Sequence, residues 1–140
     1  MKVFLDANVL ISVLNKEYPL FTYTSRILSL NPQKFKLYTS PICLAIAFYF
    51  ACKKFGSKMA IGKIELLVSH IQIAEANKEG VLLAAKNKAI EDFEDGLEYY
   101  AARHADCSCI VTEDVSDFYF SEIEVVNAER FLEEYLSSRS

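Results

Sequence analysis

Three aspartates stand at turning points of this chain, and each marks the end or start of a regular element. Asp6 ends the apolar run V-F-L, Asp95 begins an amphipathic stretch after Asp92-Phe93-Glu94, and Asp114 follows the apolar run C-I-V-T. If the elements stack into one parallel sheet with helices, all three carboxylates meet at one edge. Carboxylates gathered away from water repel each other unless a divalent cation holds them together. The spacing therefore points first to a metal-dependent enzyme, with oxygen ligands that suit a hard cation.

The elements that must position these acids can be read in order. Lys2 to Leu5 is a short apolar run expected as a buried parallel strand. Asp6-Ala7-Asn8 makes a turn, with Asn8 expected to cap a helix from Val9 to Asn15. A second helical pattern carries Phe21, Ser25, Leu28 and Leu30. Phe35 to Thr39 reads as the second strand. Ser40-Pro41 then opens a helix that runs to Lys54 and closes at Gly56. Ser57 is expected to cap the next helix, to about Ser69, and Ile71 to Ala74 to form a third strand. Asn77 to Lys88 reads as a helix with Val81, Leu82, Ala85 and Ala89 on one side. Another, after Asp92, carries Leu97, Tyr100, Ala101 and His104. Cys109 to Thr112 and Ile123 to Val126 complete the strands, and Asn127 caps a terminal helix, Glu129 to Leu136. Strands alternating with helices predict an α/β fold around a parallel sheet. Ligands then bind beyond the strand carboxyl ends, where the strand order reverses.

The 140 residues suit one domain, 1–140, and 52% hydrophobic content supplies a core. A net charge of −4 does not advertise a nucleic-acid binder, although a cluster of site aspartates inflates the negative count and bound cations would reverse the local field. Neither a secretory signal nor an uninterrupted transmembrane stretch is evident, so no membrane role is expected. Four cysteines without an export signal fit reduced thiols and a cytoplasmic location.

Together, V-F-L-D-A-N-V-L-I at the start, D-F-E-D-G-L-E-Y-Y-A-A at 92–102 and I-V-T-E-D-V-S-D-F at 110–118 resemble the PIN-domain family of metal-dependent nucleases. The resemblance covers essentially the whole chain. It implies a three-layer α/β/α fold whose five-stranded parallel sheet has the order 3-2-1-4-5. It also implies cleavage of RNA phosphodiesters with Mg²⁺ or Mn²⁺, most often in single strands. Many small family members are toxins of toxin–antitoxin pairs, resembling VapC, so an antitoxin protein is the expected partner and a homodimer is possible. Carried onto this sequence, the catalytic and metal-holding residues are Asp6, Asp95 and Asp114, with Asp117 as a fourth metal residue. Asn8, Asp92 and Thr112 are polar groups expected beside them. One departure stands out. The family usually places an acid on the helix after strand two, and the matching position here is Ile46, which cannot ligate a cation; no acid occurs between 40 and 55.

Other readings compete. A PIN-like fold that has lost efficient catalysis could bind RNA or a protein instead. A phosphotransfer domain with Asp6 as nucleophile is disfavoured, because the chain shows Asp6-Ala7-Asn8 where such phosphatases usually show Asp-x-Asp. A zinc site at His104, Cys107 and Cys109 lacks a fourth ligand and the usual Cys-x-x-Cys spacing. The acids also have plain structural uses as helix caps and turn residues.

Overall fold

The computed structural model describes residues 1–137. Five parallel strands run Lys2–Leu5 (β1), Lys36–Thr39 (β2), Gln72–Ile73 (β3), Cys109–Val111 (β4) and Glu124–Val126 (β5). Their order across the sheet is β3-β2-β1-β4-β5, as the resemblance implied. β1 sits at the centre, with Val3 opposite Leu37 on one side and Cys109 on the other. Both faces of a parallel sheet are covered by helices, so its central strands read as unbroken apolar runs rather than alternating ones. Val3, Phe4, Leu5, Ile110 and Val111 accordingly have no exposed surface. At the edge, β3 is reduced to two exposed residues, shorter than the Ile71–Ala74 expectation, while Ile71 and Ala74 turn inward as anchors.

Among the described residues six helices lie between the strands and a seventh follows the last: Ala7–Asn15 (α1), Leu20–Leu28 (α2), Pro41–Phe55 (α3), Ser57–Val68 (α4), Lys78–Lys86 (α5), Phe93–His104 (α6) and Ala128–Ser137 (α7). Several boundaries differ from expectation. The cap of α1 is Asp6, not Asn8: an Asp6 side-chain oxygen accepts from Ala7 N at 2.7 Å, and its backbone carbonyl accepts from Val9 and Leu10. Asn8 is thereby drawn into the helix. Gly56, at φ 82°, both closes α3 and precedes α4, so Ser57 is the first helical residue and not the cap. That left-handed region is open to glycine and strained for other residues.

The two central helices of the second half are rotated from the faces expected of them. α5 buries Ala84 and leaves Val81, Leu82 and Leu83 exposed. α6 buries Gly96, Glu98, Tyr99, Ala101 and Ala102 and leaves His104 exposed. Close approach explains the rotation: a Cβ on Gly96 would lie 3.1 Å from both Ala84 Cβ and Ile90 Cγ2. Gly96 must face the neighbouring helix, and Glu98, two residues on, is carried into the interior.

Candidate active site

The chain leaves β1, then β2 and β3, on one side, and returns through β4 and β5 on the other. The reversal lies between β1 and β4, and a crevice at their carboxyl ends is where such sheets bind ligands. Asp6 follows β1 and Thr112 follows β4, with Asp6 N donating to Val111 O at 3.1 Å as the last rung between the strands.

A hydrogen-bonded relay joins the two strand ends. Thr112 Oγ1 donates to Asp6 Oδ2 at 2.7 Å. Asn8 Nδ2 donates to Thr112 Oγ1 and to Asp114 Oδ2, both at 3.1 Å. Asp114 N also donates to Thr112 Oγ1 at 3.1 Å, and Asn8 Oδ1 accepts from Glu113 N. Asp6, Asn8, Thr112 and Asp114, which the sequence placed far apart, thus form one constellation. Asp6 and Thr112 are buried, while Asp114 is exposed. A short 3-10 turn, Val115–Phe118, follows; it presents Asp117 on the outside and buries Phe118 as its anchor.

α6 delivers the remaining acids. Asp92 caps the helix, its side chain accepting from Glu94 N at 2.9 Å and Asp95 N at 3.4 Å. Asp95 is half-buried in the first turn, and its carboxyl is pushed up to about 7, first by burial and then by the charges of Asp92, Asp6, Asp117 and Glu94. Those four influences identify one shared acidic field. Burial raises Glu94 as well, helped by Asp92 and Asp6.

Two residues at the floor of the site were not among those singled out. Glu98, one turn beyond Asp95, is 1% exposed and adjoins Asp6. Burial pushes its carboxyl up to about 10, with hydrogen bonding to and the charge of Asp6 acting in the same direction and Cys43 partly opposing them. Cys43, in the first turn of α3, is fully buried, and its Sγ donates to Asp6 Oδ1 at 3.8 Å. Burial, with Glu98 and Asp6 adding to it, holds this thiol well above the ordinary range. One ligand atom from each of Asp6, Cys43 and Glu98 lies within 4.8 Å of the others. Spacing offered a faint signal for Glu98: residues three apart on a helix share a face, so Glu98 follows Asp95. Cys43 carried none, because a cysteine in an apolar helix reads as a small core residue.

Ile46 is partly buried against the hydrophobic core. His104, Cys107 and Cys109 form no cluster with metal-holding geometry among the described residues. His104 instead lies beside Asn77, and both thiols are buried, that of Cys107 pushed up to about 12 by burial. The aromatic run at 118–120 divides: Phe118 is core, while exposed Tyr119 donates through its hydroxyl to Ala89 O.

Fold and site define an α/β protein with an acidic centre at the switch point of a five-stranded parallel sheet. The PIN-domain family profile matches residues 2–116, and the chain belongs to that family. It is 32% identical over 141 residues to Ribonuclease VapC1 of Aquifex aeolicus, covering 96% of this chain and 95% of that protein. Among solved structures, VapBC2 from Rickettsia felis bound to a promoter DNA fragment superposes with a TM-score of 0.73 at 18% identity, covering 91% of this chain and 98% of that one. Mycobacterium tuberculosis VapC20, described as a sarcin–ricin loop cleaving toxin, superposes with a TM-score of 0.68 at 15% identity, covering 88% and 98%. At those identities the structural likeness establishes the shared fold.

Proposed function

We propose that this chain is a ribonuclease that hydrolyses RNA phosphodiester bonds as the toxin of a toxin–antitoxin pair, acting as one domain over residues 1–140 with Mg²⁺ or Mn²⁺. The supporting observation is the acidic constellation at the β1–β4 switch point, in a chain 32% identical along its length to a curated ribonuclease. A binding-only role is less favoured, because it gives no reason to gather so many carboxylates without compensating cationic side chains.

The donor set suits a hard divalent cation. Asp6, Asp95, Asp114 and Asp117 offer carboxylate oxygens, and buried Oε2 of Glu98 has no hydrogen-bond partner among the described residues. An orphaned buried oxygen next to a second carboxylate is costly unless a proton or cation lies between them. When bound, such a cation would offset the charge on the scissile phosphate and help activate water as the nucleophile. The protein's own groups do the rest. Asp6 is held by Ala7 N and Thr112 Oγ1 and is fixed at the centre. Asn8 ties Asp114 to that centre. Asp95 enters from α6, and exposed Asp117, whose charge Asp95 feels, would meet the approaching RNA. Ile46 leaves α3 without a carboxylate here.

A small antitoxin that covers the acidic crevice is the expected partner, a second copy of the chain is a further one, and the cytoplasm, where RNA is met and thiols stay reduced, is the expected location. No described helix is long and apolar enough to cross a membrane. The test is cleavage of single-stranded RNA with Mn²⁺, with EDTA as control. Asp95→Asn is expected to lower the rate by about 100-fold or more, the scale of losing a group that stabilises transition-state charge, while the far-ultraviolet circular dichroism spectrum stays unchanged. Undiminished Mn²⁺-dependent cleavage by that variant would refute the assignment.

A further inference from the structure

We infer that Glu98 of α6 takes the place of the acid missing from α3, so that the site keeps a full complement of carboxylates supplied from a different helix. This rests on the metal-dependent reading above and names a residue that reading did not need.

Three observations carry it. First, α3 begins at the carboxyl end of β2, beside the site, yet its inward positions carry no acid: Cys43 is buried against Asp6, and Ile46 packs on the core. Second, Glu98 is among the largest fully buried side chains, and an ionisable group there is rare unless paired or coordinating. Among the described residues no cationic side chain pairs with it; its neighbours at the floor are a carboxylate and a thiol. Third, one of its carboxyl oxygens is buried and has no hydrogen-bond partner among the described residues. A structural glutamate in a core would be expected to satisfy both oxygens from backbone N–H groups or hydroxyls. Glu98 instead leaves one without a partner, in a residue that places a carboxyl oxygen within 4.8 Å of ligand atoms of Asp6 and Cys43.

The backbone explains how the acid reaches the floor. Gly96 lets α6 sit tight against Ala84 and Ile90, and that contact fixes the roll of the helix. With the roll fixed, Asp95 points to the rim and Glu98 to the floor. From α3 the small side chain of Cys43 faces the same carboxylate.

The experiment is calorimetric titration of Mn²⁺ into the metal-free full chain. Glu98→Gln, nearly isosteric, is expected to weaken Mn²⁺ affinity about 10-fold or more, since even groups that only support ligands cost 10–100-fold. Its metal-free melting temperature is expected to match or exceed that of the parent. Glu98→Asp, which keeps the charge but withdraws it by one methylene, should fall between the two. The double variant Ile46→Glu/Glu98→Gln should recover part of the lost affinity by returning the acid to α3. Parent-like Mn²⁺ affinity in Glu98→Gln overturns the inference and leaves the nuclease reading standing. Failure of the double variant to recover any affinity overturns the exchange of roles. No Mn²⁺ binding by the parent protein overturns both readings.

Discussion

The two ends of the sheet solve opposite electrostatic problems. At the amino end, the terminal ammonium of Met1 donates to Lys34 O at 2.7 Å, and Lys2 Nζ reaches Ala105 O at 3.5 Å and lies 5.8 Å from the centre of the Tyr38 ring. Positive groups there meet carbonyl oxygens and a ring face, and the strands are closed by backbone bonds from Lys36 to Met1 and from Ser108 to Lys2. At the carboxyl end, Asp6 and Glu98 lie close together, Asp95 feels the charges of Asp92, Asp6 and Asp117, and the groups that reach Asp6 and Asp114 are neutral donors. One end is arranged for stability. The other carries a repulsion that folding alone does not relieve, the condition that the proposed cation would meet.

Substitution at the support of the acidic end should have the largest effect on folding. Gly96→Ala would put a methyl 3.1 Å from Ala84 and Ile90, and overpacking of that kind costs about 1–3 kcal/mol. Urea denaturation should show the loss, with a slope unchanged from the parent. A midpoint equal to the parent's would mean that the tight seam of α5 and α6 yields easily and does not fix the roll of α6.

Next in size is the response to pH without metal. Asp95 and Glu98 have folded-state values raised to about 7 and about 10, above those of an unfolded chain. The folded state therefore binds more protons than the unfolded one across this range, and stability falls as pH rises. The contribution is complete below about pH 4 and is lost progressively as pH rises through the folded values. Thermal melts in EDTA should drop from pH 5 to pH 8, and saturating Mn²⁺ should flatten the drop. Melts in EDTA that rise over the same interval would contradict the carboxylate crowding. The smallest effect is expected at the amino end: Lys2→Ala should change stability by no more than about 0.5 kcal/mol, because its contacts are long and partly solvated. A loss of several times that size, measured in the same urea titration, would erase the contrast between the two ends.

Much of the site was legible because strand ends advertise themselves. Asp6, Thr112 and Asp114 follow apolar runs, and a parallel sheet brings such positions to one edge whatever their distance along the chain. Asn8 was visible as a polar group in the first turn but was given the capping role that Asp6 holds, since two candidate caps two residues apart cannot be ranked by propensity alone. The rotation of α6 was not legible. Leu97 and Tyr100 are more apolar than Gly96 and Glu98, so a hydrophobic pattern turns the helix the wrong way. What decides it is the close fit at Gly96, which depends on how Ala84 of the preceding helix and Ile90 of the intervening turn fold back on it. Glu98 was missed for the same reason, because a glutamate between Leu97 and Tyr99 reads as the wet side of a helix.

The hydroxyl of Thr112 accepts from both Asn8 Nδ2 and Asp114 N, which leaves its single hydrogen one destination, Asp6 Oδ2. One of the two donors to it is main chain, so the orientation of this O–H is built into the polypeptide and does not wait on the ionisation of its neighbours. Valine, of almost the same shape, would leave the backbone path intact yet strip Asp6 Oδ2 of its donor, so that the carboxylate would be tethered through Oδ1 alone.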